Sequence, residues 1–250
     1  EFTNLYSGDD YFAETISGVV DPVTINKADS LTVINGYDPT ELVVGQSTLV
    51  NVTVTALAPG AGIPNGEVSI SNGVDECTVT LNPTDGTGSC LLTPTMPGNP
   101  SLSAVYSGND DFNPSSADEL TGPIVVKADS HFYSVSFSPN TVVVGQPITI
   151  TAEVRITAPG SGTATGDVIV SNGSDNCVVT LLNGAGECTF IPSAAGQPNL
   201  VFNYAGDSNF NGSSQWVVSG PLVTKAETTI DLFSYDPTEL VVGQTTTVNI

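Results

Sequence analysis

The four cysteines are the most chemically reactive residue type in this sequence, and they form two similar pairs. Twelve residues separate Cys77 from Cys90, and ten separate Cys177 from Cys188. Each pair brackets one predicted hairpin, and the two turns differ in length by the same two residues, so the cysteines occupy equivalent opposed positions. The pattern predicts two disulfides, Cys77–Cys90 and Cys177–Cys188, each contributing about 3 kcal/mol of stability.

A zinc site is the alternative use of two cysteine pairs. The pairs lie about 100 residues apart and lack the short spacing of a metal knuckle, so disulfides are preferred. Because disulfides persist in oxidising compartments, they predict an extracellular protein at a cell surface.

Catalytic residues are not predicted anywhere in the chain. His131 is its single histidine, and the corresponding position of the first repeat is Leu31. No Ser/His/Asp or Cys/His set can be formed in both repeats, and oxidised cysteines leave no thiolate nucleophile. The sequence therefore predicts a protein that is not an enzyme.

The charge of the chain excludes two classes of partner. Lys and Arg number 4 against 26 Asp and Glu, a formal charge of −22. A basic surface for nucleic acid phosphates or for an anionic membrane leaflet is therefore not expected. No apolar run approaches the roughly 20 residues of a membrane helix, so membrane insertion is not predicted either.

Internal repetition is the strongest pattern in the sequence. The motif at Tyr6 (YSGDDYF) returns at Tyr106 as YSGNDDF and at Tyr204 as YAGDSNF. These spacings are 100 and 98 residues, and the Lys-Ala-Asp-Ser and Val-Val-Gly-Gln motifs repeat at matching intervals. A period near 100 residues is that of a whole domain.

This period sets the predicted domain boundaries. Residues 27–126 and 127–224 are expected to be complete domains. Residues 1–26 are expected to be the C-terminal part of a preceding domain, with its last strands F and G. Residues 225–250 are expected to be the N-terminal part of a following domain, with strands A and B. The natural protein is therefore expected to continue in both directions, with completion of the ends by neighbouring chains as the alternative.

Alternating apolar and polar residues predict the strands. Residues 49–55 place Val50, Val52 and Val54 on one face, and the second repeat has the same alternation from Ile148 to Val154. Turn signals such as Asn72-Gly73 end the following strand. Seven strands in about 100 residues predict an all-β chain of tandem β-sandwiches.

The segments from Gly66-Glu-Val-Ser-Ile to Tyr106-Ser-Gly-Asn-Asp-Asp-Phe, and from Gly166-Asp-Val-Ile-Val to Tyr204-Ala-Gly-Asp-Ser-Asn-Phe, resemble the bacterial immunoglobulin-like repeats of group 3 type. The resemblance covers both complete repeats and implies seven-stranded immunoglobulin-like sandwiches of surface proteins and adhesins. Those relatives usually lack cysteines, so the two disulfides are a departure that suggests a need for extra stability.

Charged side chains are predicted to gather where repeats meet. If the strands alternate in direction, the turn between strands F and G faces the preceding repeat and brings carboxylates near a junction lysine. An ion pair, worth about 0–1 kcal/mol, is preferred there, with a Ca²⁺ site as the alternative and no other cofactor. The junction lysines are Lys27, Lys127 and Lys225; the candidate Ca²⁺ ligands are Asp29, Asp110, Asp111, Asp129 and Asp207.

Smaller signals mark a few further positions. Tyr106 and Tyr204, with Phe112 and Phe210, are interpreted as structural clamps of the F–G turn, with a binding role as the alternative. Trp216 has no aromatic counterpart in the first repeat, so local packing is expected, with an interchain contact as the alternative. Glycosylation sequons begin at Asn51, Asn172 and Asn211.

These observations favour a structural segment of an extracellular stalk, appendage or filament of adhesin-like type. Its expected partners are neighbouring repeats of the same chain and identical chains in a fibre. The alternatives are a module that binds a glycan or a protein, and accessory domains of a secreted enzyme whose catalytic part lies outside this sequence.

Overall fold

The chain is all-β, as predicted. The computed structural model describes residues 4–16, 18, 23–231, 234–236 and 238–249. It divides into unit 1, Glu1–Lys127, and unit 2, Ala128–Ile250. Within the described ranges every regular element is a strand, and no helix has the length and apolar character that crossing a membrane requires.

The strands of unit 1 are β1 (Leu5–Tyr6), β2 (Thr15–Ile16), β3 (Ser30–Asp38), β4 (Glu41–Val43), β5 (Thr48–Ala56), β6 (Gly66–Ser71), β7 (Glu76–Leu81), β8 (Thr87–Leu92), β9 (Ser101–Tyr106), β10 (Ser115–Ser116), β11 (Leu120–Thr121) and β12 (Ile124–Val126). The strands of unit 2 are β13 (Ser130–Ser138), β14 (Thr141–Val143), β15 (Ile148–Ile156), β16 (Gly166–Ser171), β17 (Asn176–Leu181), β18 (Ala185–Phe190), β19 (Asn199–Gly206), β20 (Asn211–Ser219), β21 (Leu222–Thr224), β22 (Ser234–Asp236) and β23 (Thr247–Asn249).

Each unit contains one sandwich of two sheets. In unit 1 the first sheet has the order β3-β5-β8, and the second has the order β10-β9-β6-β7 with β11 also paired to β9. Unit 2 repeats this plan with a first sheet β13-β15-β18 and a second sheet β17-β16-β19-β20. The same sequence pattern has thus produced the same topology twice.

The core of each sandwich is formed by the inward residues of the alternating strands. Val50, Val52 and Val54 of β5 are buried, as predicted, and so are alternate residues from Ile148 to Val154 of β15. They pack against the inward residues of the second sheet, which gives each unit its own hydrophobic cluster. Period-two alternation places one set of side chains between the sheets and the other outside.

The predicted hairpin around each cysteine pair is wrong. β7 pairs with β6 in the second sheet, whereas β8 pairs with β5 in the first, and β17 and β18 are separated in the same way. The turn after β7 therefore crosses from one sheet to the other. A turn of this length can either return a strand beside its neighbour or carry it across the core, and the buried faces decide between the two.

The second and last strands of each sandwich meet in a parallel ladder. β4 pairs with β12 in unit 1, and β14 pairs with β21 in unit 2. The connection from β3 to β4 carries the chain away from its antiparallel pairing with β5 and into this ladder. The first predicted strand of each domain is therefore divided into two parts with different partners.

Two short hairpins lie outside the sandwiches. β1 pairs with β2 near the start of unit 1, and β22 pairs with β23 near the end of unit 2. Their antiparallel pairing is what the predicted F–G and A–B strand pairs require. The assignment of these segments to further domains stays a prediction.

Candidate functional site

The two disulfides join the sheets of each sandwich. Cys77 on β7 is bonded to Cys90 on β8, and Cys177 on β17 is bonded to Cys188 on β18, each with a Cα–Cα distance of 6.0 Å. These are the pairings predicted from the spacing. Because β7 and β8 are outer strands of different sheets, the bond closes one side of the sandwich rather than a hairpin.

The position of each cysteine follows from the register of the strands. Cys77 lies opposite Ile70, and Cys90 lies opposite Val50; both partners are fully buried. Cys177 and Cys188 occupy the same places in unit 2. The sulfur atoms therefore pack on the core edge, and closing loops of 13 and 11 residues stabilises each unit by about 3 kcal/mol.

The parallel ladder at the ends of each sandwich is the second feature shared by both units. In unit 1 the Ile124 N–H donates to Thr40 O over 2.9 Å, and the Val44 N–H donates to Val126 O over 2.9 Å. Gly98 and Val125 exchange two further backbone hydrogen bonds of 2.8 Å. We call the β4–β12 ladder, and the β14–β21 ladder of unit 2, the terminal clamps.

The terminal clamp of unit 2 reproduces these contacts. Leu222 N–H donates to Asn140 O over 2.9 Å, and Val144 N–H donates to Thr224 O over 3.0 Å. Val142 and Val223, which are paired in the clamp, are both buried. Side chains from the core thus shield the clamp from water, which would otherwise compete for its hydrogen bonds.

The turn after β9 is built as the clamp interpretation of its tyrosine predicts. The Tyr106 hydroxyl donates to Asn65 O over 2.7 Å, and Asn109 Oδ1 accepts from the N–H groups of Asp111 and Phe112, each over 2.8 Å. Gly108 has a φ of 78°, which favours glycine. Burial raises the pKa of Tyr106.

Unit 2 has the same turn, with the carboxylate of Asp207 in place of the Asn109 amide of unit 1. The Tyr204 hydroxyl donates to Thr165 O over 2.8 Å, and burial, followed by the negative charge of Asp207, raises the pKa of Tyr204. Burial also opposes ionisation of Asp207. Hydrogen bonds from the Thr165 side chain and from the backbone N–H groups of Asn209, Thr165 and Phe210 outweigh it and lower the pKa of Asp207.

Lys27 lies beside the F–G turn, but its contact differs from the predicted ion pair. Ala28 N–H donates to Asp111 O over 2.8 Å, so the predicted proximity is correct. The Lys27 ammonium donates to the backbone carbonyl of Asn109. In the described ranges the ion pair that the structure contains is Arg155–Glu153, at 2.7 Å. The ammonium is satisfied by a carbonyl oxygen that residue types alone do not reveal.

The candidate calcium ligands are distributed among separate contacts. Asp29 and Asp129 each accept a hydrogen bond from an asparagine amide, and Asp207 is held within the turn. Asp110 and Asp111 line a shallow depression of about 490 Å³ beside Lys27. Among the described residues the structure brings no three acidic, histidine or cysteine side chains into a metal-binding group. Calcium binding stays a prediction.

Trp216 packs within unit 2. Its ring centroid lies 6.0 Å from that of Phe132, and Phe132 contacts Phe202 edge-on at 6.1 Å. Trp216 is 37% exposed. Unit 1 has Thr32, Ala104 and Asp118 at the three matching positions. The three aromatic residues therefore form a packing cluster specific to unit 2, and an interchain contact of Trp216 stays a prediction.

The three asparagines that begin the predicted glycosylation sequons differ in their contacts. Asn51 is exposed on β5, whereas the Asn172 side chain caps its own turn through Ser174 and Asp175, and the Asn211 amide donates to Asp129. Asn51 is thus the sequon asparagine most available for modification.

His131, the single histidine of the chain, contacts the Thr157 hydroxyl over 3.0 Å.

A family model described as bacterial Ig-like domain (group 3) matches residues 36–124 and 135–219, well over half of the chain. No curated protein gives a significant match.

The chain is similar to several solved structures. The Yersinia pseudotuberculosis adhesin InvE is 16% identical over 82% of this chain and 65% of its own, with a TM-score of 0.38. The fibronectin(III)-like modules of Clostridium thermocellum CbhA are 18% identical over 80% of this chain and 99% of theirs, with a TM-score of 0.30. A two-domain fibronectin type III segment of chicken tenascin is 15% identical over 74% of this chain and 97% of its own, with a TM-score of 0.34.

Proposed function

Because the chain belongs to the bacterial Ig-like domain family, group 3, we propose that its two sandwiches are tension-bearing repeats of an extracellular stalk, appendage or filament. In such a protein the working part of each repeat is its backbone, which transmits force from one end of the sandwich to the other. No catalytic step is assigned to these repeats.

The terminal clamps are the observation that carries this proposal. β4 follows β3, the strand by which the chain enters the sandwich, and β12 stands at its exit. Since the two strands are parallel, tension on the two chain ends pulls them in opposite directions along their common axis. All hydrogen bonds of the ladder are then loaded together, whereas strands pulled apart from one end lose their bonds one at a time. The β14–β21 ladder gives unit 2 the same geometry.

The disulfides support the same proposal in two ways. They fit an oxidising, extracellular location. They also remove the residues between Cys77 and Cys90, and between Cys177 and Cys188, from the length that a unit releases when force unfolds it. A stalk with cross-linked repeats therefore extends less when one repeat fails.

Single-molecule stretching of the full chain from its two ends tests the proposal. Each sandwich is expected to unfold in one separate event. Reduction should lengthen the release by the closed loop, 13 or 11 residues at about 3.5 Å each, less the 6.0 Å that the disulfide already spans. The expected gain is about 40 Å for unit 1 and about 33 Å for unit 2.

A pulling-direction control separates a clamp from general stability. The same chain, held at engineered attachment points that open β4 and β12 from one end, should unfold at markedly lower force, because its bonds then break in sequence. Equal forces in both directions would contradict the proposed function. The location is tested separately: a membrane-impermeant label added to intact source cells should modify the protein, and a protected protein would contradict an extracellular site.

A further inference from the structure

The outer face of the second sheet of unit 2 carries a row of exposed aliphatic side chains. Ile169 is 49% exposed, Val178 is 48% exposed and Val217 is 53% exposed, and Val201 between them is half-buried. They lie on β16, β17, β20 and β19, so every strand of the sheet contributes one residue. We call these four residues the aliphatic face.

The register makes the aliphatic face continuous. Ile169 lies directly opposite Val178, and Val201 lies directly opposite Val217. Ile169 is opposite Asn203 on β19, which places Val201 at the diagonal position two residues away. Directly opposed side chains on one face of a sheet have Cβ atoms about 5 Å apart, and diagonal ones lie about 7–8 Å apart, so the two opposed pairs are neighbours. The four residues therefore run across the whole width of the sheet.

Unit 1 provides an internal comparison, because the same positions of its second sheet are polar. Ser69, Thr78, Ser103 and Glu119 stand where unit 2 has Ile169, Val178, Val201 and Val217. Unit 1 forms the same two-sheet sandwich with these residues, with Glu119 in the gap between β10 and β11 where unit 2 has the continuous strand β20. The aliphatic face is therefore not required by the two-sheet fold. An aliphatic patch that the fold does not need indicates a contact surface.

Charge on the same face identifies a suitable partner. Unit 1 carries Glu67, Glu76 and Glu119 there, whereas unit 2 carries a single carboxylate, Asp167, with Asn176 replacing the second glutamate. Most of the −22 charge of the chain is therefore directed elsewhere. A basic partner would be attracted by several carboxylates, whereas this face has one. An equally acidic partner needs a neutral surface, because like charges at an interface are unfavourable.

The size of the face fits a weak contact between copies. Four strands spaced about 4.8 Å apart, and about five residues of about 3.3 Å each, give roughly 300 Å² per copy. Two such faces bury roughly 600 Å², below the roughly 1,200 Å² of a stable dimer. A single contact is therefore expected to be weak and reversible, and several contacts between parallel arrays would strengthen one another.

We propose that the aliphatic face of unit 2 docks against the same face of a second copy of this chain, as a two-fold lateral contact between neighbouring stalks. In a two-fold contact the same patch serves both partners, so one aliphatic face is sufficient. Unit 1 also has exposed aliphatic residues, but Val105 stands alone on the outer face of its second sheet. On its first sheet, Asn51 and Thr53 divide the exposed aliphatic residues into separate pairs.

Sedimentation velocity of the full chain, from micromolar to millimolar concentration, tests the proposal. The wild type is expected to form a reversible dimer that strengthens with added salt, because salt screens the repulsion between acidic chains. The double variant Ile169→Ser with Val217→Glu, which introduces the residues of unit 1, should weaken the dimer by about tenfold or more.

Two matched variants complete the experiment. Leu49→Thr removes an exposed aliphatic residue outside the aliphatic face and should leave the dimer unchanged. Ser69→Ile with Glu119→Val introduces part of the face into unit 1 and should strengthen association. Circular dichroism of each variant establishes that it is folded.

A wild type that stays monomeric at millimolar concentration would overturn the proposal and assign the face to a different partner. A dimer that survives in the double variant, or that weakens as salt is added, would overturn it as well. None of these outcomes affects the tension-bearing proposal, because a stalk made of single chains transmits force through its terminal clamps without any lateral contact.

Discussion

Val44 donates its backbone N–H to the carbonyl oxygen of Val126 over 2.9 Å, and this bond joins the end of β4 to the end of β12. The Val44 side chain is buried, so the bond is protected from water. Val144 and Thr224 form the equivalent bond of 3.0 Å in unit 2. The two bonds can be removed one at a time within a single molecule.

The variant Val44→Pro is expected to destabilise unit 1 and leave unit 2 unchanged. Proline has no N–H to donate, and the carbonyl of Val126 loses its partner, at a cost of about 2 kcal/mol. Circular dichroism follows both units, whereas fluorescence of Trp216, the single tryptophan, follows unit 2 alone. Thermal unfolding should therefore shift by circular dichroism but not by fluorescence.

The reciprocal variant Val144→Pro is the control. It should lower the fluorescence transition, and it should lower the unfolding force of one event in a stretching experiment. If both proline variants unfold at wild-type temperature and force, the terminal clamps do not hold the sandwiches together.

Removal of one disulfide should destabilise one unit by about 3 kcal/mol, because the unfolded chain gains the freedom of an open loop. The double variant Cys177→Ala with Cys188→Ala should lower the midpoint of urea unfolding followed by Trp216 fluorescence. The pair Cys77→Ala with Cys90→Ala should leave that fluorescence transition in place. A wild-type protein whose urea midpoint is the same with and without reductant would contradict this prediction.

Asp207 is expected to make unit 2 sensitive to acid. Its pKa is lowered from the ordinary value of 3.8, so its ionised form contributes stability above about pH 4, and that stability is lost as the pH falls through the folded pKa. Asp207→Asn gives unit 2 the residue that unit 1 has at Asn109. Below about pH 4 the variant should lose less stability than the wild type by Trp216 fluorescence.

Another carboxylate sets the background for that comparison. A backbone hydrogen bond from Ser193, with further hydrogen bonds from the Ser193 and Asn172 side chains, lowers the pKa of Asp175 in the same unit. Part of the acid sensitivity should therefore remain in Asp207→Asn. Parallel stability curves for variant and wild type between about pH 5 and pH 3 would show that Asp207 makes no such contribution.

The sequence was sufficient to predict the strands, the disulfide pairs and the family. The structure contains both disulfides, and the group 3 family model confirms the family. Alternation works for Val50 to Val54 because neighbouring side chains of a strand point to opposite faces. Alternation does not identify the partner of a strand, and the prediction that β7 and β8 pair with each other was wrong. That choice depends on β5 and β6, which compete for the same strand edges.

Contacts made by the backbone were the other feature hidden from the sequence. The repeated Val-Val-Gly-Gln motif was visible at Val43 and Val143, but its parallel partners, β12 and β21, lie about 80 residues further along the chain. The bond from Lys27 to the Asn109 carbonyl was hidden for the same reason. The aliphatic face, by contrast, was readable from differences between the repeats, such as Ser69 against Ile169.

Gly108→Ala should strongly destabilise unit 1, because the turn after β9 has no space for a Cβ atom. Gly108 has a φ of 78°, and an added Cβ would lie 2.7 Å from the carbonyl oxygen of Phe112 and 2.9 Å from the nitrogen of Pro114. Both neighbours are backbone atoms of the same turn and cannot move away separately. The expected loss is about 3 kcal/mol, measured by urea unfolding.

Gly73→Ala is the matched control for the backbone strain alone. Gly73 has a φ of 91°, but beyond its two chain neighbours no atom lies within 4 Å of an added Cβ, so only the left-handed backbone is unfavourable, at about 1 kcal/mol. The difference between the two variants measures the close packing of the turn that Tyr106 anchors. Equal losses would mean that this turn relaxes freely, and that its repeated Tyr-x-Gly motif does not fix the backbone beside Phe112.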